Sequence, residues 1–208
     1  MEYWNSRFVD KGKIWGTEPS KTAKYALKLF KKYHIHKILI PGAGYGRHTK
    51  FFSLNNYEVT GIEISEEAIN ISKEFDLHSK LILGSVLDMP FNDEKYDAIF
   101  CFNVLHLLLE NQRAFFLEKC YDQIQDNGFV FFSVFSELED SFGKGPKIEE
   151  NTFESKKGRP THYFTEDDLL NHFKTFSVIE TDIMEEKEVH GELGLHVHKL
   201  RYIFAVKT

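Results

Sequence analysis

The chain has 208 residues, 42% of them hydrophobic, with 20 phenylalanines and a formal net charge of −6. This length and apolar content suit one domain with an aromatic interior, and the acidic balance argues against non-specific binding to nucleic acid or to an anionic membrane. No stretch reaches the roughly 20 apolar residues of a membrane span and the N-terminus has no signal-peptide core; with Cys101 and Cys120 as buried thiols in apolar surroundings, the expectation is a cytoplasmic protein.

Along the chain, "SKTAKYALKLFKKY" (20–33) has apolar positions at helical spacing behind Ser20 as N-cap. "HKILIP" (36–41) reads as a short buried strand and "GRHTKFFSLN" (46–55) as the helix that follows it. "YEVTGIEIS" (57–65) alternates and is β-branched, hence a second strand. "SEEAINISKEF" (65–75) opens with Ser65 and the acids Glu66 and Glu67, which suit a helix start, although Ala68 stands where a capping box wants Glu. "KLILGSV" (80–86) and "YDAIFCFNV" (96–104) are the third and fourth strands. "NQRAFFLEKCYDQIQDNG" (111–128) predicts a helix with Gly128 at C′, and "FVFFSVFS" (129–136) is a fifth strand.

Short, nearly continuous apolar strands alternating with helices imply an α/β domain whose parallel sheet is covered on both faces. Residues 137–164 break that rhythm and read as a long surface loop, a length often used for a lid. "TEDDLLNHF" (165–173) is a helix capped by Thr165, and the two apolar runs at 176–189 and 196–208 predict an antiparallel strand pair. The expected organisation is therefore a single domain: an N-terminal arm and helix (1–35), a core (36–136), a loop or lid (137–164) and a C-terminal helix with two strands (165–208).

The functional signals sit at the ends of successive strands. In "PGAGYGR", Gly42, Ala43 and Gly44 let a ligand approach bare main chain, and the helix behind them presents free N–H groups. The spacing is G-x-G-x-G, whereas dinucleotide binders carry G-x-G-x-x-G. Glu63 ends the second strand about 20 residues later, where an acid can accept from two vicinal ribose hydroxyls and repel a 2′-phosphate. Ser85, Val86 and Asp88 follow the third strand and could border a purine; Phe102 and Asn103 end the fourth, beside the first. Each feature alone could be a tight turn, a solvated acid or a packing residue. Together, in this order, they point to one nucleotide-like ligand in the crevice where strand order reverses.

These residues resemble the class I S-adenosylmethionine-dependent methyltransferases. "ILIPGAGYGR" is similar to their first motif and "GIEIS" to their second, with Glu63 on the ribose and Ile64 beside the adenine; "GSVLDMPF" and "YDAIFCFNVLHLL" look like the adenine-side loop and fourth strand. Pro41 and Ser85 depart from the usual pattern, and Asp88 can take the adenine contact from Ser85. "YWNSRFVDKGKIWGTEPS", with Trp4, Arg7, Phe8, Trp15, Gly16 and Pro19, resembles the segment that covers the cofactor in the small tellurite-resistance and thiopurine enzymes, as does the C-terminal "VHGELGLHVHKLRYIFAVK". The resemblance implies a Rossmann-like seven-stranded, mostly parallel sheet with helices on both faces and an antiparallel last strand. It also implies S-adenosylmethionine as cofactor, S-adenosylhomocysteine as product, a small-molecule acceptor, and a monomer or weak homodimer with no nucleic acid or membrane partner.

A sulfonium cation attracts an aromatic face, for which Trp15 and Phe102 are candidates. A general base is required only if the acceptor carries a proton, and His106, His162, Tyr163 and the histidines 190, 196 and 198 are available. A thiol, thiolate or metalloid acceptor is nucleophilic enough to dispense with one. His196 and His198 point the same way on a strand, yet no CxxC or HExxH accompanies them and no metal is expected. Lys144, Lys147, Lys156, Lys157 and Arg159 in the 137–164 segment either cover an anionic acceptor or form a solvated face. The alternatives are an NAD-dependent oxidoreductase, or a non-catalytic nucleotide-binding protein with a methyltransferase fold.

Overall fold

A computed structural model describes residues 2–189 and 195–208; His190, one of the candidate bases, lies outside them. Strands β1 (Lys37–Pro41), β2 (Glu58–Glu63), β3 (Lys80–Leu83), β4 (Tyr96–Phe102) and β5 (Ile124–Phe135) pair in parallel. The last strand, β10 (Leu195–Val206), runs antiparallel between β5 and β9 (Ser177–Val189). The sheet order β3-β2-β1-β4-β5-β10-β9 reverses between β1 and β4, so the turn after β1 opens on the switch-point crevice. The seven strands and the single antiparallel one agree with expectation.

Both faces of the sheet are buried, which is why the strands read as unbroken apolar runs. Along β1 the side chains alternate. Ile38 and Ile40 join Ala23, Ala26 and Phe30 of α2 (Lys21–Lys32), while Leu39 faces Phe116 and Cys120 of α5 (Glu110–Gln123). Leu169 of α6 (Glu166–His172) packs on the α5 side. The predicted caps form: Ser20 Oγ accepts from Ala23 N at 3.0 Å, Ser65 Oγ from Ala68 N at 3.1 Å at the start of α4 (Glu66–Phe75), and Thr165 Oγ1 from Asp168 N at 3.2 Å. Among the described residues no helix is long and apolar enough to cross a membrane.

Three elements differ from the sequence reading. The N-terminal arm contains a helix, α1 (Glu2–Lys11), in which Trp4 and Phe8 are one turn apart on the buried side. The 137–164 segment is not structureless: β6 (Lys147–Glu149), β7 (Thr152–Lys156) and β8 (Arg159–His162) form a small antiparallel sheet. Tyr163 pins it to the domain within a ring cluster of Phe135, Phe142 and Phe153. Helix α5 ends at Gln123 rather than near Gly128, because buried Ile124 already pairs with Tyr96 of β4. Asn127, not Gly128, takes the positive φ, at 61°. Gly128 is required by packing, since a Cβ there would lie 2.5 Å from Ile124 Cγ2.

Candidate active site

The turn after β1 has two glycines with different reasons for being bare. Gly42 (φ 71°) has Val104 against it, and a Cβ would sit 2.2 Å from Val104 Cγ2. Gly44 (φ 58°) is less crowded, and the nearest atom to a Cβ there would be Phe8 Cζ at 3.9 Å, an ordinary contact. Gly42 is therefore needed by the protein's own packing. Gly44 leaves a cradle that a side chain would fill. Gly46 (φ 93°) caps α3 (Arg47–Ser53). Ala43 is buried, with its N–H and that of Gly42 bonded to Ile62 O at 2.9 and 2.8 Å.

Glu63 borders the cradle. Its Oε2 accepts from Gly44 N and its Oε1 from Ser65 N, both at 2.8 Å. Burial raises its carboxyl above the ordinary range, and the N–H groups of Ser65, Gly44 and Ile64 pull it back. Beyond β3, Ser85 Oγ accepts from Leu87 N at 3.1 Å and caps the one-turn helix Val86–Asp88, which occupies one of its acceptor sites locally. Val86 is half-buried and Asp88 is exposed. At the end of β4, Asn103 adopts φ 58° with its N–H on Ser133 O at 3.0 Å. Phe102 faces Arg47, whose guanidinium carbon lies 5.6 Å from the ring centroid. Gly44 is hydrogen-bonded directly to Glu63, and Val104, next to Asn103, packs on Gly42, while Ser85, Val86 and Asp88 follow β3, the strand beside β2.

The arm roofs this crevice. Trp15 stacks on Tyr45 with centroids 6.1 Å apart and planes at 17°, and Phe8 packs edge-on against both. Tyr45, the residue between the second and third glycines, was not singled out in the sequence. Its hydroxyl donates to Gly16 O at 2.6 Å and accepts from Trp15 N at 3.2 Å, and burial pushes its pKa up to about 12. Arg47, also unread, donates to Trp15 O at 3.0 Å and pairs with Glu188 Oε1 at 3.1 Å. Asn5 Oδ1 accepts from Ser65 Oγ and from Glu67 N, each at 3.0 Å, which docks α1 on the start of α4. An aromatic inside a glycine turn was the legible clue to this closure.

The candidate bases separate. His106 is buried, stacked on Phe135 at 4.2 Å, and its Nδ1 accepts from Phe135 N at 3.2 Å. Its other nitrogen therefore carries the proton, and burial with nearby Arg159 keeps the ring neutral. As placed, His106 is a donor and not a base. His162 has Thr152 Oγ1 at 2.9 Å on one nitrogen and Asp168 Oδ2 at 2.6 Å on the other, so it clamps the small sheet to α6. Tyr163 is fully buried and donates to Ser141 Oγ at 2.8 Å. His196 is exposed on β10, beside His198.

Two arginines meet above this end of the crevice. Tyr3 Oη accepts from Arg7 at 3.4 Å, and the charges of Arg7 and Arg159 of β8 are close enough to act on one another. The Nε atoms of Arg7 and Arg159 are buried with no hydrogen-bond partner among the described residues. Lys156 lies near enough to both for their charges to lower its pKa further after burial has done so.

Residues 39–132 match the family model of a methyltransferase domain, from within β1 into β5. No curated protein sequence matches this chain significantly. Among solved structures, the fold is similar to the 1,6-didemethyltoxoflavin-N1-methyltransferase of Burkholderia thailandensis, solved with 1,6-didemethyltoxoflavin and S-adenosylhomocysteine. The TM-score is 0.73 at 19% identity, covering 100% of this chain and 86% of that one. TehB of Haemophilus influenzae gives 0.68 at 18% identity, covering 99% and 67%. The magnesium protoporphyrin IX methyltransferase of Synechocystis, with bound S-adenosylmethionine, gives 0.69 at 14% identity, covering 100% and 94%.

Proposed function

We propose that this chain is a class I S-adenosylmethionine-dependent methyltransferase whose methyl acceptor is a small molecule carrying an anionic group. The observation that supports this reading is the pair of buried, unpartnered guanidinium nitrogens on Arg7 and Arg159. Both side chains are half-buried, and a buried Nε–H without an acceptor is costly, a cost that an anionic ligand relieves. A small acceptor is favoured because both covers of the crevice, α1 and the β6–β8 sheet, are anchored by buried aromatic side chains.

The cradle at Gly44 fits the cofactor, because its positive φ and the absence of any atom closer than Phe8 Cζ leave room for a ligand against main chain. When bound, S-adenosylmethionine supplies an electrophilic methyl group on a sulfonium. In our reading Gly42, Ala43 and Gly44 line its amino-acid end and Glu63 accepts from its ribose with the lone pairs left free by Gly44 and Ser65. Ile64, Val86 and Asp88 flank its base. Ser85 contributes less than expected, because its hydroxyl already caps a turn. Trp15, Phe102 and Asn103 close the remaining sides. Arg7 and Arg159 orient the acceptor, and holding it in line accounts for roughly 7–11 kcal/mol of the barrier. His106 donates a hydrogen bond to the acceptor; proton removal, where the acceptor needs it, falls to solvent.

Transfer of a labelled methyl group onto matched pairs of small thiols, amines and carboxylates, with and without an anionic substituent, tests the acceptor class. The anionic member of a pair should be preferred, and Arg159→Ala should raise its KM at least tenfold with little change for the neutral member. Equal use of both members by the wild type would refute the anionic reading. Calorimetry with S-adenosylhomocysteine and with NAD separates the enzyme classes, and binding of NAD alone would favour the oxidoreductase.

A further inference from the structure

We propose that Glu139, His196 and His198 bind a divalent transition-metal ion at the edge of the acceptor crevice. One ligand atom from each of the three lies within 4.8 Å of the others. His196 and His198 are two residues apart on β10, so both rings leave the same face of the strand, and their centroids are 4.5 Å apart. Glu139 reaches them from the turn after β5. Its Oε2 lies 3.1 Å from His198 Nδ1, and its Oε1 accepts from Lys199 N at 2.5 Å.

Three features favour a metal over a plain histidine–carboxylate contact. First, Glu139 is 6% exposed, and among the described residues no lysine or arginine pairs with it. A buried carboxylate without a fixed positive charge is costly, and a divalent ion supplies that charge. Second, the carboxylate is already held in place. Ser136 Oγ donates to Lys199 O at 2.5 Å and accepts from Leu138 N at 3.2 Å, which sews the Glu139 turn to β10. Metal sites depend on such outer support to orient their ligands. Third, two imidazoles with one carboxylate suit zinc and neighbouring first-row ions rather than magnesium or calcium, and three protein ligands leave a position for an exogenous one. A tetrahedral shell built on ligand bonds of about 2.0–2.2 Å is tighter than this 4.8 Å limit, so the three side chains draw together on the ion. Glu188, opposite His196 on β9, has Oε2 4.0 Å from His198 Nε2 and stands beside the open side.

The place of this site is informative. Phe135 stacks on His198 at 5.0 Å and on His106 at 4.2 Å, so one aromatic ring separates the three ligands from the end of β4. A bound ion there would add to the positive end of the crevice. The site was not expected from the sequence because its third ligand is 57 residues from the first histidine, in the segment read as a loop.

The test uses the full chain after treatment with a chelator and does not depend on methyl transfer. Co²⁺ and Zn²⁺ are titrated separately by calorimetry, and the Co²⁺ complex is followed by its visible absorption. The expected result is one ion per chain, a low-symmetry Co²⁺ spectrum displaced by Zn²⁺, and at least tenfold weaker binding in His198→Ala, His196→Ala and Glu139→Gln. His36→Ala, at an exposed histidine elsewhere, should bind as the wild type does. Circular dichroism and S-adenosylhomocysteine binding report whether each variant is folded and keeps its cofactor site. Absence of stoichiometric binding in the wild type overturns the proposal, as does unchanged affinity in a folded His196→Ala/His198→Ala variant.

Discussion

Gly42 and Gly44 lie two residues apart in one turn, and alanine at each should fail for a different reason. At Gly42 a new Cβ would approach Val104 Cγ2 to 2.2 Å, whereas carbon atoms rest about 3.5–4.0 Å apart. Overpacking of this kind costs about 1–3 kcal/mol, and the left-handed backbone adds about 1–2 kcal/mol. Gly42→Ala should therefore lose about 2–5 kcal/mol of unfolding free energy. Gly44→Ala meets nothing closer than Phe8 Cζ at 3.9 Å and should lose only the backbone cost of about 1–2 kcal/mol. Its penalty appears instead in ligand affinity, because the methyl group enters the cradle. Urea unfolding at constant slope gives the first quantity, and calorimetry with S-adenosylhomocysteine gives the second. Val104→Ala removes the colliding atom, so in that background Gly42→Ala should cost about 1–3 kcal/mol less than alone, a coupling that a double-mutant cycle reads directly. Additive single costs would refute the close approach of Val104. Undiminished affinity in Gly44→Ala would mean that no ligand touches main chain there.

Glu63→Gln exchanges one acceptor oxygen for an amide that opposes a backbone N–H, and S-adenosylhomocysteine affinity should fall by about 1–3 kcal/mol, roughly 5- to 150-fold; an unchanged dissociation constant in the folded variant would place the ribose elsewhere. Glu186 Oε1 accepts from Lys21 N at 2.8 Å and its Oε2 from Thr22 N at 2.9 Å, so a carboxylate 164 residues away caps α2. Glu186→Ala should lower unfolding free energy by about 1–2 kcal/mol in thermal or urea melts, with no loss if solvent caps the helix equally well. His48 and His106 are both held below the ordinary 6.5, mainly by burial and next by Arg47 and Arg159 respectively. With folded pKa values depressed, their stabilising contribution is complete above pH 6.5 and declines as pH falls below it, by up to about 1.4 kcal/mol per pH unit for each. Urea midpoints at pH 5.5 and 7.5 should show this slope, and His48→Asn should flatten it; an identical slope in that variant would remove His48 as a cause.

The part of the crevice we assign to the cofactor was readable because each of its residues is local to a strand end. Gly42 and Gly44 follow β1, Glu63 ends β2, Ser85 follows β3 and Asn103 follows β4, so a strand pattern and an order suffice to bring them together. The roles of individual side chains were less legible, since distant neighbours decide them. His106 becomes a donor through Phe135 N, 29 residues on, and His162 becomes a clamp through Thr152 and Asp168. The β6–β8 sheet was missed for a related reason. Its strands are three to five residues long, too short for alternation to show, and what anchors them is a ring cluster gathered from Phe135, Phe142, Phe153 and Tyr163.

The acceptor half inverts this logic. Arg7 comes from α1, Arg159 from β8, and His106 from the turn after β4; Tyr3 accepts from Arg7. No window of sequence contains that cluster, and no single element holds it. Its charge exists only when the arm is docked by Asn5 on α4 and the small sheet is docked by Tyr163 on Phe135. The two covers carry like charges toward one another, so each is harder to dock when the other is in place. An anionic ligand between them removes that repulsion. On the proposed reading, the acceptor's charge offsets the repulsion between the two covers, so an anionic acceptor gains from Arg7 and Arg159 what a neutral one does not.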